Sequence, residues 1–274
     1  MSILLLFCGY IYSRYHYNTL CYPPFFCVGL AAIFFHLSAN TISEYRDCKT
    51  GIDNIHSPDT KYRLVSKAVP ENHILTIGLT SFGVAVGLGV IAAVVWQKLL
   101  FFPGAIAAVI VFSYSEWPLK LKYRAFGEVC VFLQYGPIMF SSCILALTGK
   151  ISIEDMIFSI PFGLLTSLVL LANNIRDYEF EKNKTTTLTT KYGLKTSYFL
   201  LFFIVHLSFL FIPFFVYYNL LPKTGFMVFL SYPIIFLSMK KIETSEIIKI
   251  FGILQILFAL LVCLSLWNGV ECSY

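Results

Sequence analysis

Residues Leu171–Leu188 read LANNIRDYEFEKNKTTTL, an apolar run that gives way within one helical turn to amides, acids and bases. Read as a helix, the stretch places Asn173, Asp177 and Glu181 at every fourth position, on one face. Amides and carboxylates at the end of a lipid-embedded segment are costly unless they pair, bind a cation or line a wet cavity. The stretch is therefore a functional candidate on physical grounds alone, and a second such cluster facing it would strengthen the case.

The surrounding chain belongs in a bilayer. Of its 274 residues, 58% are hydrophobic and only 13% charged, against about 25% charged in soluble domains; the mean hydropathy is +0.76. These values exclude a soluble enzyme, and no nucleic-acid partner is expected at a net charge of +5. Apolar segments near 2–12, 25–40, 74–96, 99–114, 128–147, 153–174, 197–219, 224–238 and 245–267 predict about nine helices. A crossing needs roughly 20 residues, so the first segment reads as a truncated or re-entrant helix. A cleaved signal peptide is the lesser reading of 1–12, which lacks a basic leader and a convincing cleavage site.

The loops alternate in charge. Those after segments 2, 4, 6 and 8, counted with the helix end beside the last, hold 16 of the 20 Lys and Arg. Arg14, Lys98, Lys150 and Lys223 stand singly in the others. By the positive-inside rule the basic loops are cytoplasmic, the N-terminus lies inside and the C-terminus outside. Twelve of the 15 acids lie on that same side. Topology signalling does not require acids there, so this face is expected to carry chemistry.

The second cluster lies at the end of segment 2, where Asn40, Glu44 and Asp47 occupy one helical face. Gly51 suits a helix stop, which leaves Asp53 in the loop. Each acid taken singly is also what an ordinary helix end carries. Two clusters, each with an Asn one turn inside the apolar run, are harder to explain that way. Carboxylate and amide oxygens are hard ligands suited to Mg²⁺, which commonly bridges to phosphates. Opposed sets of them can hold a diphosphate through metal ions and stabilise it as a leaving group.

At these residues the chain resembles the UbiA superfamily of intramembrane prenyltransferases, and most closely the branch that prenylates 1,4-dihydroxy-2-naphthoate for menaquinone. Glu44-Tyr45-Arg46-Asp47-Cys48-Lys49-Thr50-Gly51-Ile52-Asp53 is similar to the first family motif. Asn173-Asn174-Ile175-Arg176-Asp177-Tyr178-Glu179-Phe180-Glu181, continuing to Gly193, is similar to the second. Tyr114, Pro118-Leu119, Tyr123-Arg124 and Phe126-Gly127-Glu128 form a third likeness. The departures are Ser43 for the usual Asn, Glu44 and Glu181 for Asp, Lys184 without its usual Gly, and the short first helix.

The resemblance implies an all-α membrane protein, a single domain over 1–274 in two loosely repeated halves, around a lipid-accessible cavity. It implies Mg²⁺ as cofactor and a polyprenyl diphosphate and small aromatic acceptor as partners. The metal ligands it implies are Asp47 and Asp177, supported by Asn40, Glu44, Asn174 and Glu181. Arg63, Lys122, Lys184 and Asn173 fall to binding the metal–diphosphate group, and Asp53, Tyr114, Lys67 and Lys120 to the reaction. A related enzyme with another acceptor, and an inactive or transport protein on the same scaffold, are the alternatives.

The remaining polar residues have plainer readings. Glu128 reads equally as a helix N-terminal acid. His36 and His206 are expected as hydrogen-bonded packing residues, and Gln134 and Gln255 as interhelical hydrogen-bond formers. Gly83, Gly87 and Gly89 are expected to permit close helix contact. The eight cysteines show no metal-type spacing and read as small buried hydrophobes.

Overall fold

In hydrocarbon a spanning segment must pair its backbone groups internally, which for long apolar runs means helices. The computed structural model describes residues 2–17, 19–53, 70–116, 118–236 and 246–271, and among these the regular elements are all helical. They are α1 (Ser2–His16), α2 (Tyr22–Lys49), α3 (Glu71–Val95) and α4 (Phe101–Ser115), the last entered through a 3-10 turn at Lys98–Leu100. A 3-10 turn at Leu121–Arg124 leads into α5 (Gly127–Leu133), a π-helical turn at Gln134–Ile138, and α6 (Met139–Thr148). There follow α7 (Ile153–Arg176), the single turn α8 (Tyr178–Glu181), α9 (Leu188–Tyr217), a 3-10 stretch Lys223–Ser231 and α10 (Glu246–Glu271).

Among the described residues, seven stretches are long and apolar enough to cross a membrane: Tyr22–Lys49, Glu71–Val95, Lys98–Ser115, Gly127–Thr148, Ile153–Arg176, Leu188–Tyr217 and Glu246–Val270. Lys223–Phe236 is a shorter apolar helix. The chain is an all-α, multi-pass integral membrane protein, and over the described residues each apolar segment of the sequence falls on a helical element.

The first helix is longer than its apolar run suggests, 15 residues ending at His16. At 1.5 Å per residue it reaches about 22 Å, short of the roughly 30 Å hydrocarbon core. It is nevertheless built into the main packing cluster, with Leu5, Cys8, Ile11 and Tyr12 buried against residues of α6, α7 and α10. The Tyr12 ring lies 4.3 Å from that of Phe158 and 5.7 Å from that of Phe140. Smaller clusters join α2 to α3, α4 and the α5–α6 segment. Cys8, Cys130, Cys143 and Cys263 are buried free thiols, as their apolar surroundings predict, whereas Cys21 is exposed.

Three sequence expectations need correction. The second acidic stretch is not one continuous helix, because α7 ends at Arg176 and Asp177 sits at the break (φ −89°, ψ 1°) before α8. Gly83, Gly87 and Gly89 face open space, and a Cβ added at any of them would meet no atom within 4 Å. The close approaches occur elsewhere: a Cβ on Gly163 would lie 2.5 Å from the Phe132 carbonyl oxygen and 2.9 Å from Gly136 Cα, which locks α7 against the π turn. Finally, Gln255 does bond across to Thr166, but Oε1 of Gln134 is buried with no hydrogen-bond partner among the described residues.

Candidate active site

Helix α2 stops at Lys49, and Gly51 takes the left-handed conformation (φ +73°) that reverses the chain. The turn brings the Asp53 N–H back to donate to the Asp47 carbonyl, 3.0 Å away. Asp47 is thus held at the helix end and buried. Its side chain meets the 3-10 turn that precedes α5: Tyr123 Oη donates to Oδ1 at 2.7 Å and Lys122 Nζ pairs with Oδ2. Lys122 also donates to Ser43 Oγ at 2.7 Å. Burial works against the Lys122 charge, but the Asp47 carboxylate, with Tyr114 and Tyr123, holds its ammonium well above the ordinary lysine range.

The second motif closes over the same place. Lys184 Nζ donates to the Ile52 carbonyl at 3.1 Å and lies 3.3 Å from the centre of the Phe180 ring. The Ala125 N–H donates to the Thr186 carbonyl at 2.9 Å, tying the α4–α5 loop to the loop after α8. Asn174 Nδ2 donates to Glu128 Oε1 at 2.7 Å. Glu128 is therefore more than a helix-end acid: it is buried and anchors the second motif to α5. Three stretches separated by tens of residues meet at one end of the bundle.

The carboxylates are not equally compensated. Asp177 accepts from Arg176 Nε and Nη2, both at 2.6 Å. Glu181 Oε2 is buried with no hydrogen-bond partner among the described residues. Its burial, and then the nearby negative charges of Asp177, Asp47 and Asp53, push its carboxyl up to about 7. That mutual influence places acids of both motifs within electrostatic reach of one another. Among the described residues no three His, Cys, Asp or Glu side chains converge on a single point.

The basic residues divide into separate roles. Arg46 forms a bidentate pair with the buried Glu116, which the motif reading missed, and Arg176 is tied to Asp177. Neither is left for a substrate anion. Lys120 and Lys184, with Arg46 and Tyr123, line a polar pocket of about 310 Å³ adjoining Asp47. Glu44 and Asn173 are half-buried beside their respective motifs. Arg63 and Lys67 lie outside the described residues. Asn40 and Tyr114 border a different space, an apolar cavity of about 80 Å³ between α2, α4 and α5. Glu116 is the contributor that sequence reading does not name, and Ser43 and Tyr123 enter it as motif positions without a role. A buried hydroxyl or acid near a motif becomes informative only once its partner is located.

Comparison with known proteins agrees with this arrangement. The UbiA prenyltransferase family matches over residues 2–257. The chain is 28% identical over 158 residues to 1,4-dihydroxy-2-naphthoate octaprenyltransferase of Bacillus subtilis, covering 58% of this chain and 51% of that protein. It is 27% identical over 179 residues to UbiA prenyltransferase domain-containing protein 1 of Dictyostelium discoideum, covering 62% and 54%. The matched regions thus span about half the length of these relatives. Among solved structures, a UbiA homologue from Aeropyrum pernix K1 superposes with a TM-score of 0.71 at 14% identity, covering 99% of this chain and 97% of that one. A UbiA homologue from Archaeoglobus fulgidus bound to DMAPP and Mg²⁺ gives 0.66 at 14% identity, covering 98% and 96%. With the family matched over residues 2–257, most of the helical bundle, this chain belongs to the UbiA prenyltransferase family.

Proposed function

We propose that this protein transfers a prenyl group from a polyprenyl diphosphate to an aromatic acceptor, with 1,4-dihydroxy-2-naphthoate the favoured acceptor and Mg²⁺ the cofactor. The observation that carries the reading is the meeting of both acidic motifs and the basic α4–α5 loop at one end of an apolar cavity. The A. fulgidus homologue bound to DMAPP and Mg²⁺, and the naphthoate octaprenyltransferase of B. subtilis, support the substrate classes.

The residues fit the metal. The donors are hard oxygens, and Glu181 Oε2 is a buried oxygen with no partner among the described residues. Since no three carboxylates converge there, each ion would be held by one or two of Asp47, Asp177, Glu181, Glu44 and the amides of Asn40 and Asn174. The remaining positions fall to phosphate oxygens and water, the usual Mg²⁺ arrangement. Bound Mg²⁺ would supply charge neutralisation of the departing diphosphate.

The chain's own side chains do the rest. Lys120 and Lys184 face the polar pocket and offer positive charge to phosphate oxygens, and Arg63 and Lys67 are proposed for the same task. Lys122 holds Asp47 in place. Tyr114, at the inner cavity, presents an aromatic face to the allylic carbon as positive charge develops there. Asp53, hinged to Asp47 through its backbone, is proposed to take the acceptor proton. The apolar cavity shields the cation from water. The charge pattern of the loops supports a cytoplasmic position for the whole site, within one domain over 1–274.

The test is prenyl transfer by the purified protein in lipid nanodiscs, with Mg²⁺ or EDTA and a panel of hydroxylated aromatic acceptors. Mg²⁺-dependent product with the naphthoate is expected. Product with another acceptor alone corrects the acceptor, and full activity in EDTA would falsify the clamp.

A further inference from the structure

Gln134 is the residue whose surroundings its sequence context least prepared for. Proline at 137 has no N–H to donate, and the chain widens there into a π-helical turn over Gln134–Ile138. Such single π turns inside helices occur frequently at functional sites. Here the close contact of Gly136 with Gly163 fixes the turn against α7. Gln134 and Tyr135 then line the 80 Å³ cavity, opposite His36 and Asn40 of α2 and beside Tyr114. The His36 ring is anchored by Nδ1 to Ser2 Oγ at 2.8 Å and packs edge-on to Tyr135, 5.4 Å between centres.

This wall does not suit a hydrocarbon chain. Against an isoprenoid tail Gln134 Oε1, which has no partner among the described residues, stays buried and unpaired, a costly state for an amide oxygen. A second cavity of about 50 Å³ continues from the first through shared residues Phe35, Gln134 and Met139, and its other walls include Leu100, Gly104 and Ala107. Away from Gln134 and Ser142 its lining is apolar and suits the tail. Met139, unbranched and common to both, is the side chain best able to rotate and enlarge the space.

We propose that Gln134 positions the aromatic acceptor, its Oε1 accepting a hydrogen bond from an acceptor hydroxyl while the ring lies between His36 and Tyr114. The inference rests on the prenyl-transfer reading and adds to it the group that recognises a hydroxylated aromatic ring.

The experiment uses full-length protein in nanodiscs with farnesyl diphosphate, 1,4-dihydroxy-2-naphthoate and the 4-methyl ether of that acceptor. Gln134→Met keeps the side-chain length and removes the acceptor oxygen. The expected result is an acceptor KM raised about tenfold, the loss of one buried hydrogen bond, with the farnesyl diphosphate KM within about twofold of the parent. The methyl ether is expected to show the same loss in the parent protein and no further loss in the variant, and Gln134→Glu to recover most of the affinity. Unchanged KM for both substrates in Gln134→Met, or an equal rise in both, overturns the proposal. Should Gln134→Met not fold, equal KM for the naphthoate and its ether in the parent protein overturns it as well. Mg²⁺-dependent diphosphate release from farnesyl diphosphate without acceptor reports the clamp separately. If the parent protein lacks that release, the underlying function falls; if release is present and Gln134 is without effect on the acceptor, only this inference falls.

Discussion

The two acidic motifs look equivalent as sequence and are held very differently. Asp47 of the first is gripped from outside its own helix, by Lys122 and Tyr123 of the α4–α5 loop. Asp177 of the second is paired with its own neighbour Arg176, at a break between helices, and Glu181 beyond it keeps a buried oxygen unpartnered among the described residues. One motif is preorganised by tertiary contacts; the other holds a buried carboxyl whose charge is left without compensation. A diphosphate–metal group needs both properties: a fixed anchor, and an anionic surface that is stabilised only when cations arrive.

The largest expected effect tests what the motifs share. Asp47→Asn and Asp177→Asn should each lower Mg²⁺-dependent transfer by at least about 10²–10³-fold, the scale of removing one preorganised charge-stabilising group, measured as kcat/KM. Stability should separate them. Asp47→Asn leaves the Lys122 ammonium without its counterion and lowers the thermal midpoint in detergent, whereas Asp177→Asn lowers it less, because its partner Arg176 is the adjacent residue and the pair needs no tertiary contact. Equal midpoints would erase the proposed difference.

Lys122→Met approaches the same anchor from the other side. Breaking a fully buried pair costs about 3–5 kcal/mol. The Lys122 side chain is 22% exposed and Asp47 8%, so about 1–3 kcal/mol is the expected loss once solvent screening is allowed for. Thermal unfolding of the single and double variants checks it: Asp47→Asn with Lys122→Met together should cost less than the sum of the two. Tyr123→Phe deletes only the 2.7 Å bond to Asp47 Oδ1 and is expected to cost about 1–2 kcal/mol by the same measurement.

The smallest effect sharpens the second motif. Glu181 is pushed up to about 7 from an ordinary 4.5. Folding therefore tightens its proton, so its carboxylate is absent from the balance below pH 4.5 and destabilises the fold increasingly as pH rises toward 7. In EDTA, Glu181→Gln should leave the thermal midpoint unchanged below about pH 4.5 and raise it by a few degrees at pH 8. A variant that gains stability at pH 4 instead would sink the account.

Much is legible in the chain alone, because a bilayer leaves few options. Apolar run-length sets the helices and their approximate ends, and Gly51 marks the end of α2 through its left-handed backbone. The acidic motifs stand out because polar groups at membrane depth are expensive. What escapes are relations across the bundle. The break at Asp177 is invisible because the residues around it are compatible with helix, and the chain beyond it is tied to the first motif by the bond from Lys184 to Ile52. Arg46 stands in the first motif, yet its partner is not visible nearby in sequence, since Glu116, 70 residues further along, already holds it.

Sequence by itself determined that this protein is helical, membrane-embedded and armed with two acidic motifs, since composition, run-length and spacing are local properties that hydrocarbon solvent reads directly. Only the tertiary structure decided which charges are already paired, which pocket each base lines, and that Gln134, a residue of the cavity wall, keeps a buried oxygen unpaired among the described residues. The reason is physical: the cost of a buried polar group depends on its partner, and here the partners come from helices far apart along the chain.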